Sequence, residues 1–144
     1  MSGLRSILAL GCTLVGAGAI AVLGAGAANA DGINLTPGNN GLLNGGTGNS
    51  GIANNLLGPG FGNTGIANGL LGGSGNSGVA NLGNLNQGIA NIGAGQVGVA
   101  NIGAGQVGIA NIGTLNGGLL NIGAGNLGAV NIGNGRTGIL RIFG

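Results

Sequence analysis

The side chains that carry chemistry are nearly absent from this sequence. There are one Asp, three Arg and one Cys, and no His, Lys or Glu in 144 residues. Nucleophilic catalysis needs a base beside its nucleophile, and Asp31 stands without a partner. Metal sites need converging His, Cys or carboxylate groups, which the sequence does not supply. No catalytic, cofactor-binding or metal-binding residue is therefore expected, and no cofactor. Gly-x-Gly strings suggest a phosphate loop, but they recur throughout the chain and lack the Gly-Lys-Ser/Thr that such a loop requires. The pI near 10.3 arises from a formal charge of only +2, too few cations to neutralise a run of phosphates, so nucleic acid is excluded as a partner. Asn34-Leu35-Thr36 is formally a glycosylation sequon, followed directly by Pro37. What the chain has in quantity is amide: 22 Asn, together with 40 Gly.

Residues 1–30 read as a secretory signal peptide that is removed. Arg5 supplies the charged start, an apolar stretch runs from about Ile7 to Leu23, and Ala28-Asn29-Ala30 gives an A-x-A cleavage site before Asp31. A membrane anchor is the competing reading, since the stretch approaches the roughly 18 residues of a span. Its Gly and Ala content favours cleavage, after which no stable membrane span remains. Ala9-Leu10-Gly11-Cys12 loosely resembles a lipobox. Cleavage after Ala30 leaves no cysteine, and so no disulfide or thiol chemistry in an exported protein.

The rest of the chain is organised by repetition. Ala90-Asn91-Ile92-Gly93-Ala94 is followed by Gly95-Gln96-Val97-Gly98-Val99, and the five-residue unit of small residue, Asn or Gln, branched aliphatic, Gly and variable residue recurs. Its phase holds for fourteen units from Gly75 to Gly144, with Gly at every fifth position from Gly83 to Gly138. Residues 31–74 are looser. Gly58-Pro59-Gly60-Phe61 interrupts the phase, and Gly72-Gly73-Ser74 resets it.

A period of five fits neither the alternation of a strand nor the 3.6-residue turn of a helix. If each unit makes a short extended segment and a turn, four units close a square coil of about twenty residues, and coils stack at the strand spacing of about 4.8 Å. The expectation is a four-sided β-solenoid. Ile92, Val97, Ile102 and Val107 would plug the interior, Asn and Gln would point out, and the Gly after each aliphatic would form the turn. Gly117 and Thr137 fall at plug positions as defects. Twenty-residue stacking places Asn91 over Asn111 over Asn131 and Ile92 over Ile112 over Ile132, with the Asn ladders stabilising the stack. Val99, Ile109, Leu119 and Ile139 fall at the variable, outward position and predict an exposed apolar stripe. Arg136 and Arg141 are expected to keep an exposed solenoid end soluble.

The unit Ala-Asn-Ile-Gly-Ala resembles the pentapeptide-repeat family. The Asn-Ile-Gly and Gly-Asn-Thr-Gly wording, as in Gly62-Asn63-Thr64-Gly65, is similar to the Asn/Gly-rich tandem repeats in the tails of mycobacterial PPE proteins, and the resemblance covers nearly all of residues 33–144. The only prolines are Pro37 and Pro59, so the PPE domain is absent from these residues. The resemblance implies an all-β, right-handed, four-sided β-helix of actinobacterial type.

The functional expectation is a secreted, non-enzymatic structural or cell-surface protein that associates with itself or with a component of the cell envelope. The alternative is a secreted binding module that faces a host or the envelope through the apolar stripe or the Asn ladders.

Overall fold

In the computed structural model, residues 32–142 are described; the signal peptide expected at 1–30, with Arg5 and Cys12, lies outside them, as does Asp31. Among the described residues every regular element is a β-strand, and every pairing is parallel. The all-β solenoid expected from the period is thus present.

The strands form two ladders. The long sheet runs through eleven strands: Gly32–Ile33, Asn40–Leu42, Ser50–Ile52, Thr64–Ile66, Ser77–Val79, Gln87–Ile89, Val97–Val99, Val107–Ile109, Gly117–Leu119, the first part of Leu127–Asn134, and Thr137–Arg141. The short sheet takes the alternate strands Leu82–Asn84, Ile92–Ala94, Ile102–Ala104, Ile112–Thr114 and Ile122–Ala124, and closes on the second part of Leu127–Asn134.

The register corrects the size of the coil. Ile92 pairs with Ile102 and Ile102 with Ile112, while Val97 pairs with Val107 on the other sheet. Each coil therefore holds ten residues and two strands, where the sequence suggested twenty residues and four sides. Two five-residue units suffice because the turn sits at one residue in left-handed conformation. Ala90, Ala100 and Ala110 take φ of 56° at one edge, and Gly95, Gly105 and Gly125 take 61° to 64° at the other.

The glycine expected to make the turn lies instead in the middle of each strand. From Gly83 to Gly138 these residues hold φ between 104° and 133°, a region closed to most L side chains. The reason is contact as well as dihedral angle. A Cβ built on Gly98 would overlap the carbonyl oxygen of Gly108, and one on Gly108 that of Gly118.

Both breaks in phase fall on one side of the coil. Nine residues separate Asn54 from Asn63, and eight separate Asn68 from Asn76, where the regular array uses five. Both excesses lie on the side that later becomes the short sheet, and they stack on each other through Leu57 N–H to the Leu70 carbonyl at 2.9 Å and Gly75 N–H to the Phe61 carbonyl at 3.0 Å. The short sheet starts at Leu82, after both of them. The long sheet passes both insertions without losing register, pairing Gly51 with Gly65 and Gly65 with Gly78.

The two glycine environments predict different costs. Gly98→Ala should destabilise the fold by about 4 kcal/mol, combining backbone strain with a clash that cannot relax. Gly125 has nothing within 4 Å of a built Cβ, and Gly125→Ala should cost about 1 kcal/mol for the left-handed conformation alone. Urea unfolding followed by far-UV circular dichroism distinguishes the two; equal costs would remove the close-approach account.

Candidate functional site: an amide core and aliphatic outer columns

The interior contains no aliphatic side chain. Among the described residues no hydrophobic residue is buried, whereas nineteen Asn and Gln are, nearly all with relative exposure of 0–1%. The expected orientation is reversed: Asn and Gln point in, and Ile92, Val97, Ile102 and Val107 point out. Strand geometry accounts for the inversion. In a three-residue strand the first and third side chains share a face and the second takes the other. With Gly in the middle facing inward, the aliphatic before it must face solvent. Gly117 and Thr137, expected as defects in a packed interior, stand on the outer face and leave the core intact.

The amides form two continuous ladders at the two edges of the coil. In the first, Asn34, Asn44, Asn54, Asn68, Asn81, Asn91, Asn101, Asn111, Asn121 and Asn131 follow one another, and each Oδ1 through that of Asn121 accepts the backbone N–H of the next at 2.9–3.1 Å, while Asn131 Oδ1 is buried without a partner. Asn91, Asn111 and Asn131 are thus in one ladder, with Asn101 and Asn121 between them. Ile92, Ile112 and Ile132 likewise share one column, with Ile102 and Ile122 interleaved. Each Nδ2 is also occupied. That of Asn91 donates to Asn81 Oδ1 at 3.0 Å, to the Gln87 carbonyl at 3.2 Å and to the Gly98 carbonyl at 2.9 Å. One side chain therefore ties a coil to the coils before and after it.

The second ladder has a defect that sequence reasoning missed. It runs through Asn39, Asn49, Asn63, Asn76 and Asn86 to Gln96, then resumes from Asn116 to Asn126 and Arg136. Between these runs the Oε1 atoms of Gln96 and Gln106 are buried without a partner. Their Nε2 atoms keep the carbonyl bonds of an Asn, to Ile92 and Gly103 at 2.8 Å and to Ile102 and Gly113 at 2.7 and 2.6 Å. The extra methylene leaves the amide oxygen out of line with the N–H of the next coil. The signal was present in the repeat as the only Gln at these positions. Asn55, caught under the insertions and 1% exposed, also has both amide atoms unpartnered.

Arg136 and Arg141 occupy the ladder positions of the last described coil. Asn126 Oδ1 accepts the Arg136 N–H at 2.9 Å, and Arg141 pairs with Asn131 in register. Arg136 is half-buried and Arg141 exposed, and the two stand where the other coils carry amides, at the last described coil of both ladders. Charged residues at a sheet edge discourage further pairing.

Outside, the side chains stand in straight columns. Val99, Ile109, Leu119 and Ile139 lie in one column of the long sheet, with Ala129 completing it. The same column continues backward through Ile89, Val79, Ile66, Ile52 and Leu42 to Ile33. Ile139, with no rung above it, is 80% exposed, whereas Val99 and Leu119 inside the column are 38% and 42% exposed. Between Leu42 and Leu119 the large side chains of the column are each 38–51% exposed. The Asn ladders, being buried, offer no binding surface. Among the described residues no group of three or more His, Cys, Asp or Glu converges.

Residues 100–139 match the family model described as Pentapeptide repeats (8 copies). No curated protein and no solved structure is matched by the chain.

Two substitutions follow from the ladders. The pair Gln96→Asn and Gln106→Asn should restore two amide–backbone bonds and raise stability by about 2 kcal/mol, read as a higher urea midpoint; a lower midpoint would mean that the methylenes fill space the core needs. Arg136→Asn with Arg141→Asn should let coils of different molecules stack end to end, giving species of high mass in sedimentation velocity. An unchanged distribution would show that the arginines do not guard that edge.

Proposed function

We propose that the chain is a secreted, non-enzymatic structural or cell-surface repeat protein that acts by shape and by association with itself or with the cell envelope. The observation that carries this reading is the inverted arrangement of side chains. Hydrogen-bonded amides hold the interior, and the aliphatics that would form a core elsewhere are displayed in ordered columns. Apolar patches of that extent on a monomer mark contact surfaces. The wording of residues 62–65, similar to PPE-protein tails, agrees with an extracytoplasmic role, as does the A-x-A site before Asp31.

A second reading, a binding module for a host or envelope component, is favoured by the exposure of Val99, Ile109, Leu119 and Ile139 as a single stripe. One fractionation experiment addresses both. Cells expressing the full chain should release a form beginning at Asp31 to the envelope fraction or the medium. A chain that keeps Met1 and stays in the cytosol overturns the proposal. If Ile109→Asn with Leu119→Asn abolishes retention on the envelope while the purified protein still self-associates, the binding reading replaces the structural one.

A further inference from the structure

We infer that the outer face of the long sheet is the docking surface for a second copy of this chain, the two solenoids packing face to face about a two-fold axis. This deepens the self-association half of the proposed function and names its surface.

Size separates the two faces. The long sheet has eleven rungs, which at about 4.8 Å per interval is about 48 Å of length, and five residues at about 3.3 Å give a width of about 16 Å. Its footprint is therefore roughly 800 Å², the area each partner of a standard stable interface buries. The short sheet, with six rungs, offers about 400 Å² by the same geometry, within the range of ordinary patches on monomers.

Chemistry selects the occupant. The face carries the aliphatic column from Ile33 to Ile139 and no charged side chain until Arg141. Beside it runs a second column of Asn40, Ser50, Thr64, Ser77 and Gln87, which continues as Val97, Val107, Gly117, Leu127 and Thr137. Surfaces that lie on membranes use Trp, Tyr, Lys and Arg to hold the interface; the whole chain has no Trp, Tyr or Lys. A second copy, by contrast, presents the same rung spacing. A two-fold axis parallel to the strands lays the aliphatic column of one copy along that of the other, an isologous contact. The middle residue of each three-residue strand on this sheet is an inward-facing Gly, so the two columns stand clear of each other, and a stagger of half a rung lets the facing aliphatic side chains interdigitate as in paired sheets. The arginines at the far end direct association to the faces and away from the edges.

Sedimentation equilibrium of the purified full chain, under reducing conditions and without detergent, tests the inference. The expected result is a monomer–dimer equilibrium. Val99→Thr with Ile109→Thr should weaken it at least tenfold, whereas Ile92→Thr with Ile102→Thr, on the short sheet, should leave it unchanged. Far-UV circular dichroism verifies the fold of each variant. Should the first pair unfold, Ile66→Thr with Ile89→Thr, lower in the same column, replaces it. A monomer up to 100 µM overturns the inference, as do equal losses from both faces, or fibres that persist in the long-sheet variant. A monomer that floats with phosphatidylcholine vesicles would assign the face to lipid instead. Because the measurement uses purified protein, failure of export leaves this result standing, and loss of the dimer leaves the export result standing.

Discussion

The structure depends on the close contact between successive coils that the absence of a side chain permits. With Gly at the centre of every regular strand, each coil rests on the carbonyl oxygen of the next at a spacing no Cβ would permit. The interior this leaves is lined by Asn and Gln. A carboxamide fits it, and has both a donor and an acceptor to offer the backbone groups that the strands turn inward. Asn is thus at once the filler and the bonding agent of the core. The hydrophobic effect, ordinarily the largest driving force in folding, is diverted to the outside of the molecule, where aliphatics cover one another only along their columns.

Such a core has its own cooperativity. In the regular part of the first ladder the Oδ1 accepts from the coil above while the Nδ2 donates to the coil below, as at Asn101, whose Nδ2 donates to Asn91 Oδ1 at 3.0 Å and whose own Oδ1 accepts Asn111 N–H at 3.1 Å. Chains of bonds polarised in one direction strengthen one another, and neighbouring coils are the units between which stability is shared. The two unpartnered Gln oxygens sit in the middle of the array, where the second ladder is divided in two. The first ladder crosses the same coils unbroken, and it carries continuity through that point.

Much of this was legible in the sequence. The period of five and the all-β solenoid followed from spacing; a twenty-residue, four-sided coil would set Ile109 on the side opposite Val99, Leu119 and Ile139, and the ten-residue register brings the four into one column. The inside and outside did not, because hydropathy placed Ile92 in the core and Asn91 on the surface. Parity within a three-residue strand decides otherwise once Gly93 is recognised as a strand residue held against its neighbour, and not as a turn. The same misassignment of glycine doubled the coil: with turns at Ala90 and Gly95 available, two units close the circuit. The insertions looked like disruptions in one dimension, yet in three they are confined to one side, and the long sheet keeps its register past Gly51, Gly65 and Gly78.

The neutral interior has a consequence for the solution conditions the fold withstands. Residues 32–142 contain no carboxylate, imidazole, amine, thiol or phenol; Arg136 and Arg141 are their only ionisable side chains. The dependence of stability on pH is set by the difference in protons bound by folded and unfolded chains, and here neither state has side-chain sites to fill or empty across the acid and neutral range. Acid, which unfolds most proteins by protonating carboxylates engaged in the native state, finds nothing in these coils to act upon. A scaffold of amides and aliphatics is in this sense invisible to protons, and suited to surroundings whose acidity is not under the control of the cell that makes it.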